Sequence, residues 1–214
     1  MQDTQQAFDE KLANADRKRS IVIDASNKCS LQCHKCGRQW YMDNKRKIPG
    51  ETLSLENFIK LTNYYNSFIE FCGQISDITM NPNLKDFLKV THDKGIPTKV
   101  STAASYRSSD WYIDCFNANP NAEWMFGIDG MPEESHWYRK NQNGEKLFDI
   151  MIKGRELGMK IRWQYIIFRY NQNSIEEAKA LARQHGIVFE LNYSSRWDKN
   201  DPYKPIGEEF VKHL

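Results

Sequence analysis

The chain has 214 residues, and its 30 lysines and arginines nearly balance its 28 aspartates and glutamates, which leaves a net charge of only +2. This balance does not favour nucleic acid as a partner, because nucleic-acid-binding proteins usually carry a clustered basic face. The first twenty residues are polar and no stretch is apolar enough for a membrane span, so the sequence predicts a cytoplasmic protein without a membrane partner.

Short runs of β-branched and aromatic residues alternate with longer segments of helical period along most of the chain. Residues 1–20 form a polar N-terminal extension. Six strands are predicted, at residues 21–25, 68–72, 98–102, 124–128, 161–168 and 188–192. Helices are predicted between them, over residues 55–65, 84–91, 108–116, 147–154 and 175–182.

This alternation predicts the fold class. Strands that alternate with helices pair in parallel through right-handed crossovers, so the prediction is an α/β fold. A complete eight-unit barrel takes about 250 residues, and six units therefore favour a partial (β/α)6 TIM-like barrel. Residues 21–197 are expected to form the core domain, and residues 198–214 a loop and short helix. Chemistry is expected at the C-terminal ends of the strands.

Three of the five cysteines directly follow the first predicted strand. Cys29, Cys33 and Cys36 have the spacing C-x3-C-x2-C, and clustered cysteines in a reducing compartment indicate a metal site. In a [4Fe–4S] cluster each iron usually takes one thiolate, so three cysteines leave one iron open. The alternative is a structural zinc site that includes His34 or a distant ligand. Zinc is less favoured because the sequence has no second ligand pair.

The sequence around the cysteines resembles that of the radical SAM superfamily. Residues 27–33 in particular are similar to the family's Asn-x-Cys-Asn-Leu-x-Cys motif. The resemblance extends over residues 21–197. Residues 163–171 resemble the group of the molybdenum-cofactor cyclase and the SPASM-type enzymes, although the sequence lacks the cysteine-rich C-terminal domain of that group. The resemblance implies a [4Fe–4S] cluster, S-adenosylmethionine (SAM), and reductive cleavage of SAM to a 5′-deoxyadenosyl radical that abstracts hydrogen from a substrate.

The same resemblance implies further site residues at the ends of later strands. Residues 71–77 take the place of the family's Gly-Gly-Glu-Pro-like turn, which binds the SAM amino group, and residues 127–130 resemble its Ser-Ile-Asp-Gly. The residues implied for SAM or substrate are Gly73, Ser76, Asp77, Ser101, Thr102, Gly127, Asp129, Gln164 and Tyr193. Tyr138 and Arg139 resemble the Tyr/His-Arg pair that often follows in the family, whereas Arg139 taken alone is interpreted as a surface ion-pair partner. The basic run at residues 45–47 is interpreted as a solvated loop.

The resemblance also implies partners. Cleavage of SAM requires an external one-electron donor of the flavodoxin or ferredoxin type. The substrate is not identified, with peptides, proteins and small molecules as candidates, and a partner subunit could close the open side of the barrel. Four residues differ from the family's motifs and support an alternative function: Ser76, Ile78, Ala103 and Ala104. In that alternative the chain is a non-catalytic or partner-dependent iron–sulfur module of the same fold.

Overall fold

A computed structural model describes residues 19–210, so the predicted N-terminal extension lies outside the described residues except for its last two positions. The described strands are β1 (Ser20–Ile23), β2 (Gln32–Cys33), β3 (Phe68–Cys72), β4 (Thr98–Thr102), β5 (Glu123–Gly127), β6 (Arg139–Lys140), β7 (Lys160–Ile166) and β8 (Val188–Asn192). The described α-helices are α1 (Gly37–Asp43), α2 (Leu55–Tyr64), α3 (Leu84–Asp93), α4 (Ser109–Ala118), α5 (Gly144–Glu156) and α6 (Ile175–Gln184). Single-turn 3₁₀ helices occupy Ile78–Met80, Ser135–Trp137 and Glu208–Phe210.

Six strands form one parallel sheet in the order β1-β3-β4-β5-β7-β8. This arrangement confirms the predicted α/β class with parallel strands. The remaining two strands, β2 and β6, form a separate antiparallel pair that the sequence did not predict. Because all six parallel strands end at the same edge of the sheet, the loops that follow them come together there.

Burial alternates along the strands, as expected when one sheet face packs on helices. In β4, Val100 is fully buried, whereas its neighbours Lys99 and Ser101 are half-buried on the opposite face. The helix-facing core is aromatic: Phe58 of α2 stacks on Phe87 of α3 with 4.2 Å between ring centroids. Burial of this apolar face holds the helices against the sheet.

Two strands end two residues earlier than predicted. β1 ends at Ile23 rather than at residue 25, because the next side chain, Asp24, bonds to the turn after β3. β7 ends at Ile166 rather than at residue 168, because the Phe168 amide donates to Asn171 Oδ1 at 2.7 Å and begins a turn. In both places a side-chain acceptor replaces the strand ladder.

All five predicted helices are present, and the structure contains one further α-helix, α1. The helix predicted over residues 108–116 is α4, and it begins after Ser108, whose hydroxyl accepts a hydrogen bond from the Trp111 amide at 3.3 Å. Helix α1 directly follows the third cysteine and was not predicted. Within the predicted terminal segment 198–214, the described part contains the 3₁₀ helix Glu208–Phe210. No helix in the described residues is long and apolar enough to cross a membrane.

The aromatic core yields a stability prediction. Phe87 is fully buried between Phe58 and Phe71, so Phe87→Ala should lower the free energy of unfolding by about 3–5 kcal/mol. Leu157→Ala, at a side chain that is 50% exposed, should change it by no more than about 0.5 kcal/mol. Urea titration of the metal-free protein measures both variants. Equal effects would contradict the placement of the core.

Candidate functional site

The three clustered cysteines line one cleft at the C-terminal edge of the sheet. Cys29, Cys33 and Cys36 are half-buried and free of disulfides. The space that the lining residues surround is about 660 Å³ with its open mouth included. The other lining residues are Leu31, Cys72, Gly73, Gln74, Ser76, Asp77, Ser101, Thr102, Ala103, Met125, Gly127, Arg139 and Gln164. The structure therefore brings seven of the nine predicted SAM residues to the cysteines: Gly73, Ser76, Asp77, Ser101, Thr102, Gly127 and Gln164.

The cysteine loop is fixed over this cleft by the small antiparallel pair. Cys33 of β2 pairs with Arg139 of β6. The Lys35 amide donates to the Tyr138 hydroxyl at 3.2 Å, and the Cys36 amide donates to the Cys33 carbonyl at 3.1 Å. Residues about one hundred positions later in the chain thus determine where the cysteines lie.

The turn after β3 is organised by Asp24, which the sequence analysis did not single out. Its carboxylate accepts hydrogen bonds from the amides of Gln74 at 2.8 Å and Ile75 at 3.1 Å, and from the Ser76 hydroxyl. The turn is tight at Gly73, where an added Cβ would lie 2.0 Å from the Ser76 carbonyl oxygen. Only glycine fits this close backbone approach. In the sequence, the position of this acid at the end of the first predicted strand was the feature that could have identified it.

The Asp77 carboxylate is fully engaged within the protein. One oxygen accepts from the Thr79 amide at 3.0 Å, and the other accepts from the amides of Ala103 and Ala104, each at 3.0 Å. The Thr102 hydroxyl also donates to it at 2.8 Å. Asp77 is 5% exposed and joins the segments that follow β3 and β4. These bonds give it a structural role at the cleft wall, in addition to the role of SAM ligand that the resemblance implies.

Asp129 lies behind the cleft rather than in it. It is fully buried, pairs with Arg139 Nε at 2.7 Å, and accepts the Ile166 amide at 2.9 Å. Arg139 itself lines the cleft with its side chain 13% exposed, so it is an ion-pair partner as interpreted, but it is not at the surface. The position of Arg139 ten residues after Asp129, in a second short strand, gave no periodic signal.

Tyr193 also lies away from the cysteines. It is 45% exposed and lines a separate depression with Tyr138, Ile166, Phe168 and Arg196. The structure therefore does not place Tyr193 beside the other predicted residues, because the chain turns outward after β8.

The environment of the cleft raises the pKa of two of its thiols, Cys29 and Cys33, in the metal-free protein. Burial raises the pKa of Cys29 to about 12, and the nearby Asp77 charge adds to this effect. Burial raises the pKa of Cys33 to about 11, although the Arg139 guanidinium opposes the rise. Because metals bind thiolates, metal binding at these two residues would release protons. In the part of the chain that the structure describes, no three His, Cys, Asp or Glu side chains converge closely enough for a single metal ion.

Comparison with known proteins identifies the fold. No protein-family model matches the chain, and no match is found among curated proteins. Among solved structures, Streptococcus suis SuiB bound to its precursor peptide SuiA is 15% identical, with a TM-score of 0.65 over 90% of this chain and 45% of SuiB. The enzyme anSMEcpe with bound AdoMet is 12% identical, with a TM-score of 0.68 over 88% of this chain and 54% of that one. Methylornithine synthase (PylB) is 12% identical, with a TM-score of 0.61 over 92% and 60% of the respective chains.

These neighbours are radical SAM enzymes, and at such low identities the likeness shows that this chain has their fold. The chain spans about half the length of SuiB and anSMEcpe.

The hydrogen bonds of Asp77 predict a loss of stability on substitution. Asp77→Ala should lower the free energy of unfolding of the metal-free protein by at least about 2 kcal/mol, because buried amides lose a charged acceptor. The exposed Asp149→Ala is the matched control and should change it by about 0.5 kcal/mol or less. Thermal and urea unfolding measure both. If Asp77→Ala left the stability unchanged, Asp77 would have no structural role.

The buried ion pair predicts a pH effect. Burial raises the pKa of the Asp129 carboxyl and the Arg139 charge opposes this, so Arg139→Met leaves the rise uncompensated and should cost about 3–5 kcal/mol at neutral pH. The folded variant then binds a proton that the unfolded chain, with an aspartate pKa of about 3.9, has already lost. Its free energy of unfolding should therefore increase as the pH falls from neutrality toward that value.

The control for this effect is the double variant Arg139→Met with Asp129→Asn, which has no buried carboxyl to protonate. Urea unfolding of the metal-free proteins across this pH range measures the difference between the two variants. If the single and double variants had the same pH dependence, Asp129 would not be the group responsible.

Proposed function

We propose that the chain binds a [4Fe–4S] cluster through Cys29, Cys33 and Cys36, and cleaves SAM reductively to abstract hydrogen from a substrate. The observation that carries this proposal is that three free thiols line one cleft, at the C-terminal edge of a parallel sheet. The fold that the chain shares with radical SAM enzymes supports it. Active sites lie at this edge in barrel enzymes.

The residues present fit such a cluster. The three cysteines supply three soft thiolate ligands, and the remaining lining residues leave the cleft open beside them. When bound, a cluster with one iron free of protein ligands supplies both a coordination position for SAM and the electron that cleaves it. Cys72 is a fourth thiol in the same cleft, and we assign it no ligand role because it belongs to β3 rather than to the cysteine loop.

The chain's own residues would bind and orient SAM. Arg139 is the cationic side chain among the described residues that line the cleft, so it suits the methionine carboxylate. The turn at Gly73 lines the cleft and would face the amino group. Ser101 and Gln164 line the cleft from β4 and β7 and would bond to the ribose or adenine.

The apolar side chains of the cleft would limit the access of water to reactive intermediates. Leu31 is 5% exposed and Met125 is 8% exposed, and both line the cleft. Exclusion of water prevents side reactions of radicals. Peptides are the first class of substrate to test, because the structurally similar SuiB was solved with its precursor peptide.

The alternative proposal is a non-catalytic or partner-dependent iron–sulfur module, and one feature of the cleft favours it. Two residues that were predicted to bind SAM already form hydrogen bonds within the protein. The Asp77 carboxylate accepts hydrogen bonds from backbone amides, and the Ser76 hydroxyl donates one to Asp24. A cleft whose polar groups are satisfied internally offers fewer contacts to a ligand. Cleavage of SAM separates the two proposals.

Anaerobic reconstitution with iron and sulfide tests the proposed function. The protein should hold about four irons per chain, and with dithionite and SAM it should release 5′-deoxyadenosine. Cys33→Ala should lose most of both. Cys72→Ala, in the same cleft, and Cys115→Ala, buried in α4, are the matched controls and should keep the iron content of the parent.

The other outcomes are equally informative. One tightly bound zinc and no cluster would contradict the proposed function. A stable cluster that yields no 5′-deoxyadenosine with SAM and candidate peptides would support the non-catalytic module.

A further inference from the structure

Helix α1 begins directly after a cysteine of the cleft and contributes nothing to the core. Cys36 is its N-cap, and none of its seven residues is buried. Trp40 is 50% exposed and Met42 is 42% exposed, and both lie close in the chain to a run of cations. A surface helix that exposes large apolar side chains indicates a contact with another molecule.

The basic run that the sequence analysis interpreted as a solvated loop folds back onto this helix. The Arg46 amide donates to the Tyr41 carbonyl at 2.8 Å, and the Arg46 guanidinium lies 5.1 Å from the centre of the Trp40 ring. Lys45 and Lys47 are exposed beside it. We call Trp40, Met42, Lys45, Arg46 and Lys47 the α1 patch.

The composition of the α1 patch matches that of protein interfaces. Tryptophan, methionine and arginine are enriched at such interfaces, and tryptophan and arginine dominate their binding energy. The patch carries three cations, and the acid nearest to them in the chain is Asp43, whose Oδ1 accepts a hydrogen bond from Gln39. Its local charge is therefore positive, and it complements an acidic partner.

Two residues of the cysteine loop, His34 and Lys35, contact the C-terminal segment. Lys35 forms ion pairs with Asp198 and, at 3.0 Å, with Asp201 of the C-terminal segment. The rings of His34 and Tyr203 lie 5.2 Å apart.

We propose that the α1 patch is the docking surface for an acidic one-electron carrier of the flavodoxin type. This inference rests on the proposed function, because the carrier would deliver its electron to a cluster at Cys36 and its neighbours. Redox encounters are transient and have small interfaces, which suits a patch of five residues. A flavodoxin presents the edge of a planar aromatic ring, and the exposed Trp40 ring is an apolar surface of matching chemistry.

The test measures electron transfer and binding on reconstituted protein with a purified, reduced bacterial flavodoxin. Arg46→Glu with Lys47→Glu reverses two charges of the patch, and Lys45 is left intact. Lys153→Glu with Lys160→Glu makes the same charge change at exposed positions on α5 and at the start of β7, away from α1. At low salt, the patch variant should lose about tenfold or more in flavodoxin affinity and in the rate of cluster reduction.

The control variant should stay within about twofold of the parent in both readouts, and the parent's affinity should fall as salt is added. Dithionite should reduce the cluster of all three proteins at the same rate, because it needs no docking surface. Trp40→Ala should also weaken flavodoxin binding, with no loss of iron. Calorimetry measures binding independently of any turnover.

Several results would overturn the inference while the proposed function stands. One is a patch variant that assembles its cluster, is reduced by dithionite, and binds flavodoxin as the parent does. Others are a parent that prefers an acidic ferredoxin or single-stranded RNA over flavodoxin at this patch, or one whose self-association disappears on charge reversal. Failure to assemble any cluster would instead contradict the proposed function and, with it, this inference.

Discussion

The buried ion pair between Arg139 and Asp129 fastens the cysteine loop to the main sheet. Arg139 belongs to β6, and β6 pairs with β2, the strand that contains Cys33. Asp129 follows β5, forms the ion pair with Arg139, and accepts a hydrogen bond from the amide of Ile166 at the end of β7. Because an uncompensated buried charge is costly, neither partner can leave this arrangement alone.

Two other carboxylates also hold loops in place along the edge of the sheet. Asp24 holds the amides of the turn after β3, and Asp77 holds those that follow β4. Each accepts several donors that the ends of strands leave without partners. The walls of the cleft are therefore made of internally satisfied backbone, and Arg139 and Gln164 are among the polar side chains that line it.

The sequence predicted the fold well because its strands and helices are local patterns. Strand–helix alternation specified a parallel α/β sheet, and the structure differs mainly where side chains such as Asp24 end a strand early. The three cysteines were found for the same reason, since their spacing is local. The pairing of Asp129 with Arg139 was not predicted, because it depends on β6, a two-residue strand that no periodicity reveals. Tyr193 was predicted to line the site because it directly follows a predicted strand. The strand pattern does not determine where the loop after β8 lies, and Tyr193 lines a separate depression.

The most direct test of the account is electron–nuclear double resonance on the reduced, reconstituted protein with SAM labelled with ¹⁵N at its amino group. The account predicts a hyperfine coupling between the reduced cluster and the labelled nitrogen, because one iron lacks a protein ligand. This coupling should be absent when unlabelled SAM is used. A reduced cluster that shows no coupling to the label, with SAM in excess, would contradict the claim that this cleft binds SAM at the cluster.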